Sequence, residues 1–198
     1  MTVVEQYTKY VKNLPVLLRR FSELKITHQW QQVLTSITTG IMGTGITFSS
    51  VIADYTLNGD GSISLINRAY NSDLSPIYIK GVCTCQDKTI PTCRIVSFDN
   101  LLFEGNYWII YVSADKSTFI VSAPLVFLGT VLIPNFGLYV LTRNRSDYWS
   151  NASLQLEITN VLLDYGFTNY LNKPIFSGES KPIDIVNSTI SNSLIPYM

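Results

Sequence analysis

The sequence predicts an all-β fold: an eight-stranded antiparallel up-and-down β-barrel, with an N-terminal helical segment and a C-terminal α-helix packed on the barrel. Three observations predict it. The stretch VIADYTLNGDGSISLINRAYN from Val51 to Asn71 alternates apolar and polar residues on either side of Asn58-Gly59-Asp60-Gly61, whose residues tolerate the positive φ of a hairpin turn. Further short β-prone runs follow at close intervals, separated by turn clusters. Only one well-formed amphipathic helix comes after the last of them.

Taken in order, residues 3–25 carry Val3, Tyr7, Tyr10, Val11 and Leu14 at helical spacing, with an interruption expected near Pro15. The first strand starts near His28 and runs through Trp30, Val33 and Ile37. The glycine-rich segment Thr38–Thr47 reads as a loop. The hairpin over Phe48–Tyr70 supplies the second and third strands, Ile77–Cys85 the fourth, and Cys93–Phe98 the fifth. Tyr107–Ser113 and Thr118–Ala123 flank the turn Ala114–Ser117 as sixth and seventh. The apolar Pro124–Gly137 reads as a connection, and Leu138–Thr142 is the eighth strand. Ser150 or Asn151 caps a helix striped by Leu154, Ile158, Val161, Leu162 and Tyr165, and Gly166 is placed to end it in the left-handed conformation. Beyond Pro174 the chain is rich in Ser and Asn and reads as a loose tail. The division is 1–27 as a helical extension, 28–177 as the barrel with its helix, and 178–198 as the tail.

Composition narrows the function. A chain of 198 residues with net charge +0, 14% charged residues and mean hydropathy +0.20 can build one sizeable core and has no basic footprint for nucleic acid. No run is long and apolar enough for a membrane-spanning helix, and the N-terminus lacks the order of a secretory signal, so an intracellular location is expected. Cys83, Cys85 and Cys93 are an odd set that argues against a disulfide framework; Cys83 and Cys85 read as small buried apolar side chains. The single histidine, His28, is remote from them, so neither a metal nor another cofactor is expected.

These residues, in this order, resemble the lipocalin family, especially its bacterial and apolipoprotein-D-like branch. His28-Gln29-Trp30 matches the family's Gly-x-Trp motif at the Trp but not at the Gly. The hairpin resembles that branch through Asn67, Tyr70 and Asn71. Tyr107-Trp108-Ile109 with Asp115 resembles the second motif, and Leu138–Arg143 the third. The resemblance covers roughly residues 16–177 and implies that Arg143 lies over the indole of Trp30 as a structural closure of the barrel, not as a catalytic pair.

An eight-stranded barrel is wide enough for one small ligand. Strand alternation nominates the lining: Val51, Ala53 and Tyr55; Leu65 and Asn67; Ile79 and Cys83, with Cys85 beyond; Val96 and Phe98; Tyr107, Ile109 and Tyr111; and Tyr139. This is the composition of a site for a hydrophobic small molecule, with Asn67 or a tyrosine hydroxyl orienting its polar end. Chain order puts the turns at 58–61, 86–91 and 114–117 at one end. The other end carries an apolar rim with Ile41, Met42, Leu102, Phe103, Phe127 and Leu132, suited to peripheral membrane contact.

The function expected is binding, transport or sequestration of a fatty acid, lysophospholipid or similar lipid, by a monomer or homodimer. The alternative is a filled barrel that acts as a structural or interaction protein through its rim. An enzyme is not expected: no nucleophile elbow or phosphate loop is present, and Asp54, Asp60, Asp73 and Asp115 fall in turns or on the outward face.

Overall fold

The protein is described by a computed structural model over residues 1–24, 26–36, 49–70, 75–85, 87, 89–99, 104–122, 137–168 and 172–177, with 126–128 and 131–133 as backbone. Helix α1 spans Val3–Leu24. The barrel strands are β1 (His28–Ser36), β2 (Ser49–Leu57), β3 (Ile63–Tyr70), β4 (Pro76–Cys85), β5 (Cys93–Phe98), β6 (Glu104–Val112) and β7 (Thr118–Val121). They continue, past a small separate hairpin β8 (Val126–Leu128) and β9 (Val131–Ile133), with β10 (Tyr139–Thr142). Each barrel strand pairs antiparallel with the next, and β10 closes the ring against β1. Helices α2 (Arg145–Ser150) and α3 (Ala152–Asp164) follow, then a short β11 (Pro174–Phe176).

The hairpin around Asn58–Gly61 folds as its alternation requires. Tyr55 faces Leu65, Ala53 faces Asn67, and Asn58 N–H donates to the Ser62 carbonyl at 2.8 Å. Gly61 takes φ +84°, which a residue with a Cβ reaches only under strain. On the outer face Asp54 pairs with Arg68.

Three expectations need correction. Pro15 does not interrupt α1, which runs unbroken through it. Pro15 lies on the exposed face with Val11, whose carbonyl loses its donor where water can replace it. The opposite face, with Tyr10, Leu17 and Leu24, is buried against the barrel and holds the helix together. The segment after Pro174 is not wholly loose: Pro174–Phe176 pairs with Ser36–Leu34 of β1. β2 covers β1 only from His28 to Gln31, so the far part of β1 offers an unpaired edge that β11 fills. The apolar connection after β7 contains its own hairpin, in which Phe127 pairs with Leu132.

Helix α2 escaped the sequence reading because only its cap signals it. Asn144 accepts from the backbone N–H groups of Ser146 and Asp147, at 2.9 and 3.3 Å. Asn151 caps α3 by accepting from Leu154 N–H at 3.0 Å, and Gly166 ends that helix at φ +79°. α1 and α3 lie together on the barrel wall: Gln6 donates to the Tyr165 carbonyl at 3.0 Å, and Lys9 pairs with Asp164 at 3.2 Å. The tail 178–198 lies outside the described residues.

Candidate functional site

The inward side chains of the barrel divide into a fully buried set and a half-buried one. Near the β1–β2 end, Trp30 is fully buried, with the edge of Phe119 at 4.6 Å and an interplanar angle of 82°. The guanidinium of Arg143 lies 3.8 Å from the Trp30 ring centroid. It is held there by donation from Nη1 to the carbonyls of Thr27 at 2.7 Å and Gln29 at 3.4 Å. This closes the barrel on one side of its floor. His28, at the position where the family motif has glycine, adopts φ +71°. The left-handed conformation that favours glycine is therefore present, and the histidine adopts it.

Above this floor Ala53, Tyr55, Leu65, Cys83, Val96 and Ile109 are all buried, and they belong to one continuous core with Phe119 and Val121. The hydroxyls of Tyr55 and Tyr107 hydrogen-bond to each other, and the Tyr107 ring sits 6.1 Å from that of Tyr139. Burial holds all three phenols in the neutral form: Tyr55 and Tyr107 are raised well above the ordinary phenol range, and Tyr139 is pushed up to about 12. Burial likewise pushes the Cys83 thiol up to about 12, so it packs as a small neutral group. Cys83 and Cys85 are free thiols; the Cys93 side chain lies outside the described residues.

Towards the opposite end the inward row loosens. Val51, Asn67, Ile79, Phe98 and Tyr139 are only half-buried. Asn67 stands between Ala53 and Ile79 in register, so its amide shares their inward face. Among the described residues its side chain makes no hydrogen bond. Phe98 is seated over Gly81, where an added Cβ would fall 2.7 Å from the Ser97 carbonyl oxygen and 2.8 Å from the Phe98 ring. The glycine thus lets an aromatic ring lie flat on the inner wall.

Tyr111 is a correction. Alternation from Tyr107 through Ile109 put it in the lining, but a β-bulge between Ile109 and Tyr111 inserts one extra residue. Val112 then faces Phe119 inside, and Tyr111 points outward between α1 and α3. There it donates to Glu157 at 2.5 Å and accepts from Arg20 at 3.1 Å. A residue that reads as pocket lining instead fastens both helices to the wall.

The rim residues Ile41, Met42, Leu102 and Phe103 lie outside the described residues. Phe127 and Leu132 are paired in the β8–β9 hairpin, which is rooted at the half-open end between β7 and β10. A surface groove of about 430 Å³ beside α1, lined by Val4, Glu5, Thr8, Lys9, Lys12, Asn13 and Asp164, opens to solvent outside the barrel. Among the described residues no group of three or more His, Cys, Asp or Glu side chains is arranged to hold a metal ion.

The described elements form a closed eight-stranded antiparallel barrel with a tryptophan–arginine floor, an N-terminal helix and a C-terminal helix. Residues 44–127 match the model of the lipocalin-like domain, and the chain has the lipocalin fold. It is similar to apocrustacyanin C2, with a TM-score of 0.60 at 10% identity over 89% of this chain and 86% of that one. It is also similar to insecticyanin from the tobacco hornworm Manduca sexta, with a TM-score of 0.58 at 13% identity over 79% of each chain. The siderocalin Ex-FABP, described as functioning through dual ligand specificities, gives a TM-score of 0.54 at 8% identity over 80% of this chain and 96% of that one. No curated protein matches the sequence.

Proposed function

We propose that the protein binds and carries a small hydrophobic or amphipathic ligand, of the fatty-acid or lysophospholipid kind, in the half-open end of the barrel. The observation that carries this reading is the gradient along the inner wall. Side chains near the floor are fully buried, whereas Asn67, Ile79, Phe98 and Tyr139 face inward and are only half-buried. Such a wall offers apolar area whose burial contributes roughly 25 cal/mol per Å². The Asn67 amide and the neutral Tyr139 hydroxyl supply the few polar contacts that orient a head group. The role is non-catalytic: the polar groups of the wall named above are neutral phenols, a neutral thiol and an amide, none poised to exchange a proton near neutral pH. The short apolar strands of the β8–β9 hairpin, VFL and VLI, stand at the same end and are the surface proposed to meet lipid during loading.

The test is organic extraction of the purified protein followed by mass spectrometry, with titration of a fluorescent fatty-acid probe. A lipid recovered near one per protein, and probe uptake weakened by Asn67→Leu or Tyr139→Ala, is the expected result. An empty extract together with no probe uptake would overturn the carrier reading and favour a filled barrel that acts through its surface. Flotation with liposomes tests the hairpin separately. Protein that stays at the bottom of the gradient with every lipid composition removes the membrane contact.

A further inference from the structure

The barrel floor has a second arginine, and its surroundings differ from those of Arg143. Arg94 begins the inner row of β5. It pairs across to Cys85 on β4 and to Tyr107 on β6, and it precedes Val96 by two residues, so it faces inward. It is only 4% exposed. Its guanidinium reaches the ring of Phe21 on α1, 5.9 Å from the centroid, and one nitrogen donates a long bond to the Gly61 carbonyl at 3.4 Å. Its Nε–H, also buried, has no acceptor among the described residues. The charge sits close enough to Cys83 to oppose the rise in that thiol's pKa.

Among the described residues, the ion pairs are Lys9–Asp164, Arg20–Glu157, Arg68–Asp54 and Lys116–Glu23, and none involves Arg94. The carboxylates on the turns at this end are engaged elsewhere. Asp60 accepts from Ser62 N–H and Oγ, and Asp87 from Thr89 N–H and Oγ1. The other deeply buried arginine, Arg145, donates to the Gln32 carbonyl at 2.7 Å. A guanidinium carries five donors and keeps its charge, so burial without a counter-charge is strongly unfavourable unless an anion completes the site.

We propose that Arg94 is the cationic half of an anion site in the barrel floor, where one monoanion accepts the guanidinium's free hydrogen bonds. The anion is either a free halide or the carboxylate of an amphipathic ligand. The carboxylate source rests on the carrier reading above; the halide source does not. In the carboxylate case the head group lies at Arg94, opposite Tyr107 in register, and Asn67 and Tyr139 then line the chain of the ligand rather than its head.

The experiment uses the delipidated full chain. Melting temperature is compared in sodium bromide against sodium gluconate at matched ionic strength. Binding is compared for dodecanoate against dodecanol. Crystals grown in bromide are measured at the bromine absorption edge. The proposal expects either a bromide-specific rise in Tm with an anomalous peak beside Arg94, or dodecanoate binding that exceeds dodecanol binding. In Arg94→Gln the bromide response disappears, or dodecanoate affinity falls at least about tenfold while dodecanol affinity stays within about twofold. Arg94→Lys, which keeps the charge but not the fork, retains part of the response. A bromide response alone assigns a halide and overturns the carboxylate source; a dodecanoate preference alone assigns the ligand head group. Equal, Arg94-independent binding of dodecanoate and dodecanol with no bromide response leaves the carrier reading standing and overturns the anion site. Should Arg94→Gln fail to fold, the wild-type comparisons and the anomalous map decide alone. Absence of both a bromide effect and a dodecanoate preference overturns the proposal.

Discussion

Replacing Arg143 by methionine tests the barrel closure most directly. Methionine keeps an unbranched apolar stem over the Trp30 ring and removes the charge and its donors. Two losses follow from the geometry. The guanidinium stacked 3.8 Å from the Trp30 centroid contributes about 0.5–2 kcal/mol. The 2.7 Å bond to the Thr27 carbonyl, charge-assisted and partly buried, contributes about 1.5–3 kcal/mol; the 3.4 Å contact to Gln29 adds little. Because the two act through one side chain, they do not add fully, and the expected loss is about 2–4 kcal/mol. Urea unfolding followed by far-ultraviolet circular dichroism measures it without depending on the tryptophan signal. A cycle with Trp30→Phe isolates the stacking part, for which a coupling of about 0.5–2 kcal/mol is expected. A loss below about 0.5 kcal/mol for Arg143→Met, or a coupling indistinguishable from zero, would refute the closure argument, because only a solvated arginine gives so small a change.

Four further outcomes are expected. His28→Gly relieves a left-handed backbone that costs a residue with a Cβ about 1–2 kcal/mol, less the ~0.5–1 kcal/mol of extra chain entropy glycine brings, so the unfolding midpoint rises by a small net amount. Gly81→Ala drives a methyl against the Ser97 carbonyl and the Phe98 ring; a loss of about 1–3 kcal/mol in the same urea assay is expected, and an unchanged midpoint contradicts the close approach. Tyr111→Phe removes the link to Glu157 and Arg20 and lowers stability, yet leaves probe affinity unchanged, whereas Tyr139→Phe lowers affinity; equal effects on affinity would return Tyr111 to the lining. In alkali the folded state keeps protons on Cys83 and Tyr139 up to about 12, while the unfolded chain releases them from about 9 and 10. Their contribution is therefore complete below about pH 9 and is lost as pH rises towards 12, which urea midpoints measured from pH 8 to 11 follow.

Much of this molecule was legible without coordinates wherever one residue's identity reports one local requirement. Alternation around Asn58–Gly61 placed Ala53, Tyr55, Leu65 and Asn67 on one face, because successive strand side chains point to opposite sides. Ser150 or Asn151 as cap and Gly166 as terminator marked the limits of α3, and the structure takes Asn151, because capping and left-handed termination depend on single side chains. Tyr111 was misread for the converse reason. A bulge is a mismatch between two strands, here β6 and β7, and nothing within β6 alone records it. β11 was missed because its partner edge exists only once β1 has outrun β2, and α1 passes Pro15 because the buried face opposite the proline holds the helix.

The sequence by itself determined the eight strands that close the barrel, their antiparallel order and the inward set on the unbroken strands, and the family resemblance implied the pairing of Trp30 with Arg143. Each follows from a local period, a turn or a motif. Tertiary structure alone decided how deep each inward residue sits, which tyrosine the bulge expels, and that Arg94 is buried with no ion-pair partner among the described residues. Burial and charge pairing depend on what eight strands and two helices bring together from distant parts of the chain, and no window of neighbouring residues contains that information.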